Sequence, residues 1–363
     1  MDGFPITTIV GLWGLVIGIL FGAVTRKTEF CILGSLADIS IYGDFRRLRA
    51  WMLAIAVAIV ITQILHGSNL IDVQKSIYLV PTLGWSGAIL GGLLFGYGTV
   101  MSRGCGGRSL IRLGGGDLRS LVSLVFLAIF AYMTMRGLTG VGREWLEGAT
   151  DLHLGAYGFA SQGIPEIIGT AVGLDAAMVR IVCAFLAAGG LLWFCLRDRR
   201  FRTSPSHVIA GLSVGILVSA GWVATGIAGT DEFEPSPLAS MSFVRPVGDS
   251  IQYLMTFTGA TLNFGIAVVA GTLVGGMAVA VMTGSFRVTG FSSSEEMLHY
   301  MGGGALMGFG GVLALGCTIG QGVTGLSTLS LGSILSVAAI LAGGYMAAER
   351  LKLDPAKELM GAA

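Results

Sequence analysis

Five cysteines occur in this chain of 363 residues, and two of them, Cys105 and Cys317, share a setting. Residues 101–110 read MSRGCGGRSL and residues 314–322 read ALGCTIGQG, so each thiol follows a glycine, Gly104 or Gly316, within apolar sequence. A neutral thiol is a weak, polarizable donor. Backbone N–H groups at the start of a following helix carry partial positive charge and are free to meet an anion. Gly106 keeps the backbone beside Cys105 open to close approach. Thr318 and Gln321 add uncharged hydrogen-bonding groups to the second turn, which suits an anion site at membrane depth, where fixed charge is costly. Arg103 and Arg108 flank only the first turn; they could draw an anion toward it, but we read them as markers of the cytoplasmic side. The feature the two turns share is the Gly-Cys pair, and the function is placed there.

The remaining candidates carry less. Cys31 lies in TRKTEFCILGSLADIS, at the start of a segment, Phe30 to Leu36, too short to cross a membrane and read as re-entrant. Glu29 beside it is read as a solvated surface charge rather than a proton acceptor. Cys183 and Cys195 sit inside one apolar run and are read as packing residues. No cysteine spacing matches zinc or haem ligation, so no metal or cofactor is expected. The four histidines stand at span ends or in loops, with no Ser/His/Asp arrangement, so no enzyme is expected. The GGG runs at 114–116 and 302–304 lack the GKS or GKT of a phosphate loop and are read as close-packing points.

The elements that must hold these residues are membrane helices. The chain is 53% hydrophobic and 12% charged, half the charge of a soluble domain, which averages about 25%. Its mean hydropathy is +0.80. Its 58 glycines are about 16% of the residues, against about 7% ordinarily; in membranes glycine permits close helix contact and helix breaks. The expectation is an all-α, polytopic helical membrane protein forming a single transmembrane transport domain over 1–363. Nine spans are expected, near 6–24, 50–66, 84–101, 119–136, 174–196, 206–223, 263–283, 299–314 and 331–348. The long connections 137–173 and 224–262 are expected to carry short interfacial helices. The first apolar run, Phe4 to Val24, lacks an A-x-A cleavage site and reads as an uncleaved helix. With the N-terminus outside, 17 of the 22 Lys and Arg residues fall on the cytoplasmic side, the bias the positive-inside rule requires. The C-terminus is then inside. A net charge of +1 without a basic tail gives no sign of nucleic-acid binding.

The chain also repeats. LFGYGTVMSRGC at 94–105 aligns with LMGFGGVLALGC at 306–317, each followed by a glycine-rich segment and another apolar run. Under the charge-derived topology the two copies enter from opposite faces. That is an inverted-topology repeat, with halves near 1–170 and 171–363 and short re-entrant Gly-Cys loops. Secondary transporters have this architecture and place their site at broken helices near the midplane.

These motifs, LFGYGTVMSRGCGGRSLIRL in one half and LMGFGGVLALGCTIGQGVTGLSTLSLGS in the other, resemble the YeeE/YedE family of sulphur-transport proteins over nearly the whole chain. The resemblance implies a bacterial inner-membrane permease for thiosulfate. It implies three pathway cysteines, one after the first span and one in each Gly-Cys turn, which match Cys31, Cys105 and Cys317. It further implies a cytosolic sulfur-carrier (TusA-like) partner. Thiosulfate carries a soft, negatively charged terminal sulfur, and weak thiol sites in series let such an anion enter and leave, where one strong cationic site would hold it. Two other readings stay open: a membrane thiol-disulfide oxidoreductase using Cys105 and Cys317, and a permease for sulfite, sulfate or a selenium species.

Overall fold

A computed structural model describes residues 6–230 and 237–350. Phe4, Lys352 and Lys357, used above for span limits and charge bias, lie outside them. In chain order the helices are α1 (Ile6–Thr28), α2 (Ile32–Tyr42), α3 (Arg46–Gly67), α4 (Trp85–Met101), α5 (Gly106–Gly114), α6 (Leu118–Arg136), α7 (Leu138–Thr150), α8 (Ile164–Val172), α9 (Ala176–Leu196), α10 (Arg199–Arg202), α11 (Pro205–Gly226), α12 (Val244–Met255), α13 (Phe264–Met282), α14 (Ser294–Leu313) and α15 (Leu331–Arg350). One turn of π-helix covers Gly320–Gly325. Two-residue strands, Thr82–Leu83 and Leu152–His153, pair antiparallel. The protein is thus all-α and polytopic. Seven helices, α1, α3, α6, α9, α11, α13 and α15, are long and apolar enough to cross a membrane. The other two predicted spans coincide with α4, of 17 residues, and α14, whose first turn carries Glu295 and Glu296. The two long connections carry α7, α8 and α12, short helices as the sequence suggested.

Helix starts follow from capping. Asp117, Asp175, Asn263 and Ser293 each accept a backbone N–H in the first turn of the helix they precede, satisfying donors the helix itself leaves free. The helices lie against each other through small residues. A methyl at Gly91 of α4 would stand 2.5 Å from the Gly310 carbonyl oxygen of α14, and one at Gly98 would stand 2.6 Å from that of Gly303. The residue numbers run in opposite senses, so α4 and α14 cross antiparallel at backbone contact. Other pairs run parallel: Gly92 and Gly96 of α4 meet Ser336 and Gly344 of α15, and Gly304 and Gly308 of α14 meet Phe126 and Ala131 of α6. Likewise Gly14 and Gly22 of α1 meet Phe264 and Gly276 of α13, while Gly211 and Gly215 of α11 meet Ala50 and Ala54 of α3. In a bilayer apolar side chains gain little by leaving lipid, so such backbone-to-backbone packing holds helices together. Helix α9 differs, exposing Ile181, Val182, Phe185, Leu186 and Trp193, an apolar face suited to lipid.

The loops sort into two ends. Arg26 bonds Ser285, Arg119 bonds both Asp117 and Glu296, and Arg112 pairs with Asp117. Arg47 pairs with Glu29, and Arg49 with Asp198. The basic loops that charge assigned to one face therefore share one end of the molecule. Burial raises the Asp117 carboxyl pKa, but the hydrogen bond from Arg119 and the charge of Arg112 outweigh it and hold the group below the usual range, so it stays ionised as anchor of this rim. At the other end Glu166 pairs with Arg180 and accepts from Gln74, and Trp85 Nε1 donates to the Thr150 carbonyl.

Candidate functional site

The two Gly-Cys turns have the same backbone. Arg103 and Leu315, two residues before the cysteines, both adopt left-handed φ, 54° and 56°. Gly104 N–H donates to the Thr99 carbonyl at 2.9 Å and Gly316 N–H to that of Gly311 at 2.8 Å. These are the closing bonds of a helix C-cap in which the chain turns left-handed. An L side chain there costs about 1 kcal/mol, and glycine is the usual occupant, so both turns hold a strained residue at the equivalent place. Past the cysteines, Ser109 N–H bonds the Cys105 carbonyl and Gln321 N–H bonds that of Cys317, at 2.8 and 2.7 Å. Each cysteine therefore begins a new helical turn that re-enters the protein, α5 in one copy and the π-helical turn in the other.

Three of the five cysteines come together. Cys31, at the N-cap of α2, and Cys105, at the N-cap of α5, are each 9% exposed, and Cys317 is 1% exposed. Cys31 and Cys105 line one narrow cavity with Phe21, Thr25, Trp51, Arg108 and Thr318. The Thr318 hydroxyl reaches Cys105, and Cys105 lies within electrostatic reach of both other thiols. Gly320 N–H points at Cys317 Sγ, 3.3 Å away, and the Ser242 hydroxyl and the backbone N–H of Phe243 also turn to that sulfur. The cavity holds about 20 Å³, room for a water and too little for a tetrahedral oxyanion.

A second cavity of similar size opens toward the other end. It is lined by Tyr78, Gln162, Leu315, Gln321, Ser330 and Ser333. Gln321 donates through Nε2 to the Ala314 carbonyl at 2.6 Å, and its Oε1 has no partner among the described residues. The turn carrying Cys317 thus stands between these two cavities: Gln321 lines one and Thr318 the other.

The eight residues singled out from sequence, Cys31, Gly104, Cys105, Gly106, Gly316, Cys317, Thr318 and Gln321, all lie in or beside these turns and cavities. Cys183 and Cys195 do not; Cys195 is buried and donates to the Arg49 carbonyl at 3.2 Å. Glu29 is half-exposed and bound to Arg47, a surface charge as read. Arg108 is not confined to the rim. Three residues past Cys105 on α5, it shares that residue's helix face, lines the thiol cavity and hydrogen-bonds Cys31. Arg103 instead reaches Glu296 at the rim. The i, i+3 spacing of Cys105 and Arg108 could have signalled the difference. Trp51 and Thr25 had no such signal, since each is a single polar-tipped residue in an apolar span. Among the described residues no cluster of His, Cys, Asp or Glu could hold a metal ion.

Helices broken at two like turns, with buried uncharged groups and thiols where those turns meet, define a membrane transport fold. The chain belongs to the Sulphur transport family, whose profile it matches over residues 27–346. It is 26% identical over 324 residues to the thiosulfate transporter TsuA of Escherichia coli (strain K12), covering 86% of each chain. It is 25% identical over 339 residues to the thiosulfate transporter TsuA of Spirochaeta thermophila, covering 92% of this chain and 97% of the relative.

Proposed function

We propose that this protein is a permease that takes up thiosulfate across the bacterial cytoplasmic (inner) membrane, along a central pathway lined by Cys31, Cys105 and Cys317. The carrying observation is that Cys31 and Cys105 line one narrow cavity, with Thr318 of the turn that carries Cys317 completing its lining. The names of the two relatives support thiosulfate as the cargo. The order Gln321, Cys317, Cys105, Cys31 runs from the weakly charged end to the arginine-rich end. We read that order as the direction of entry, with nine spans, the N-terminus outside and the C-terminus inside. The antiparallel crossing of α4 and α14, and the matching pairs α4 with α15 and α14 with α6, support an inverted repeat with halves near 1–170 and 171–363. A cytosolic sulfur carrier (TusA-like) that consumes the anion would maintain its inward gradient.

Neutral thiols suit this cargo. An S–H group offers the soft terminal sulfur of thiosulfate a weak hydrogen bond, and several weak sites in sequence allow release as well as capture. Uptake of radiolabelled thiosulfate by proteoliposomes, with sulfate and sulfite as competitors, tests the function. Uptake resisting both competitors is expected; absence of uptake, or equal competition by sulfate, would refute the cargo.

Arg108 brings a positive charge to the lining of the thiol cavity. Removing a charged hydrogen-bond partner costs about 1.5–3 kcal/mol. Arg108→Gln is therefore expected to raise the thiosulfate KM roughly tenfold or more, measured from initial rates of uptake, and an unchanged KM would take Arg108 out of the path. Orientation has its own check. A single cysteine replacing Arg199 is expected to react with an impermeant maleimide only in inverted vesicles, and reaction in intact cells would reverse the topology.

A further inference from the structure

Two buried donors at the thiol cavity have no partner. Trp51 Nε1 and Thr25 Oγ1 make no hydrogen bond among the described residues, although each residue is only 5% exposed. Both line the cavity that holds Cys31 and Cys105. An unpaired buried donor carries a substantial desolvation penalty, and folded proteins leave few of them. Neither case is an accident of a loose side chain. The Trp51 ring is packed so closely on the π-helical turn that a methyl at Gly322 would stand 2.6 Å from Cζ2. Thr25 forgoes an ordinary partner. Threonines such as Thr28, Thr134 and Thr272 donate to the carbonyl four residues back in their helices, at 2.7–2.8 Å, and Thr25 does not.

Thiosulfate has two chemically different ends, a soft sulfur and three hard oxygens. Thiols suit the sulfur and bind oxygen poorly. A cavity lined with thiols alone would discriminate badly between thiosulfate and any other soft sulfur anion. Taking the thiosulfate reading as its basis, we infer that the Trp51 indole N–H and the Thr25 hydroxyl are specificity-determining donors that receive the oxygen end of the anion while the cysteines meet its sulfur end. The two donors come from different helices, α3 and α1, and the thiols from the N-caps of α2 and α5, so a cavity widened to admit the anion presents donors to both of its ends. A site built to pair a polar group discriminates against ligands lacking it, because its own donors are then left unpaired.

The test uses the full-length protein in proteoliposomes. Trp51→Phe keeps an aromatic ring, a smaller one, and removes the N–H; Thr25→Val keeps the shape and removes the hydroxyl. Wild-type uptake of thiosulfate checks the cargo itself, and its failure would defeat the thiosulfate reading rather than this assignment. With wild-type uptake established, each variant is expected to raise the thiosulfate KM about tenfold, the worth of a hydrogen bond to an anion, with the maximal rate and the thermal melting point of the purified protein little changed. Thr25→Ser, which retains the hydroxyl, is expected to restore most of the affinity lost in Thr25→Val. An unchanged KM in Trp51→Phe and Thr25→Val overturns the assignment. So does a KM rise accompanied by a lowered melting point in both variants, or a Thr25→Ser variant no better than Thr25→Val. Should Trp51→Phe fail to fold, the threonine pair decides alone.

Discussion

Replacing Cys317 by alanine is expected to lower thiosulfate uptake by roughly ten- to a hundredfold at equal amounts of reconstituted protein. The magnitude is that of one hydrogen bond to a charged group, about 1.5–3 kcal/mol. Cys317 is the most enclosed of the three thiols at 1% exposure. It sits on the turn that stands between the two cavities, where Gln321 lines one and Thr318 the other. Removing Sγ also strips the Gly320 N–H of its acceptor and leaves the turn less fixed. Cys105→Ala is expected to act similarly, because Cys105 lies within electrostatic reach of both other thiols. Cys183, half-buried on α9 and away from both cavities, provides the control: Cys183→Ala is expected to transport at the wild-type rate. Normal uptake by both turn variants would remove the thiols from the mechanism.

The largest structural effect is expected at the crossing of α4 and α14. Gly91 and Gly310 face each other there, and a methyl on either would stand 2.5 or 2.6 Å from the other's carbonyl oxygen. Backbone cannot yield as a side chain can, so the helices must separate. Overpacking of this kind costs about 1–3 kcal/mol. Gly91→Ala is expected to lower the melting temperature in detergent by several degrees, and Gly91→Leu to abolish recovery of folded protein. These two helices lead directly into the Gly-Cys turns, so separating them also displaces Cys105 and Cys317, and uptake should fall with stability. Gly189 on α9 makes the contrast. Nothing lies within 4 Å of a methyl added there, and alanine is favoured over glycine within a helix by about 1 kcal/mol. Gly189→Ala is expected to leave the melting temperature unchanged or raised; equal melting temperatures for Gly91→Ala and Gly189→Ala would contradict the packing.

The sequence was most legible where a single physical demand covered many residues. Long uncharged runs need lipid or protein around them, and each of the nine runs is a helix. The Gly-Cys turns were legible for a different reason: the repeat separates what both copies need from what one copy happens to carry, and the shared left-handed φ at Arg103 and Leu315 is its backbone counterpart. The same comparison misled about Arg108. Absence from the second copy made it look dispensable, yet the two sides of the pathway need not be chemically alike, and its side chain ends beside Cys31 and Cys105. Trp51 and Thr25 could not be read at all. Their neighbours at the cavity are distant in sequence, and what marks them is the lack of a hydrogen-bond partner, which only packing reveals. Cys31 stood between these cases. Its segment was visibly too short to cross, but only the tertiary fold brings it to the cavity that Cys105 also lines.

The central claim is that thiosulfate passes intact beside thiols that remain thiols. It is tested by presenting proteoliposomes from outside with thiosulfate labelled separately at its terminal and its central sulfur. Both labels should appear inside in equal amounts as thiosulfate, none should stay on the protein, and the count of free thiols should be unchanged after transport. Terminal label retained on Cys105 or Cys317, sulfite released alone, or a disulfide formed between these cysteines would contradict it and make the protein a sulfur-transfer or thiol-disulfide enzyme.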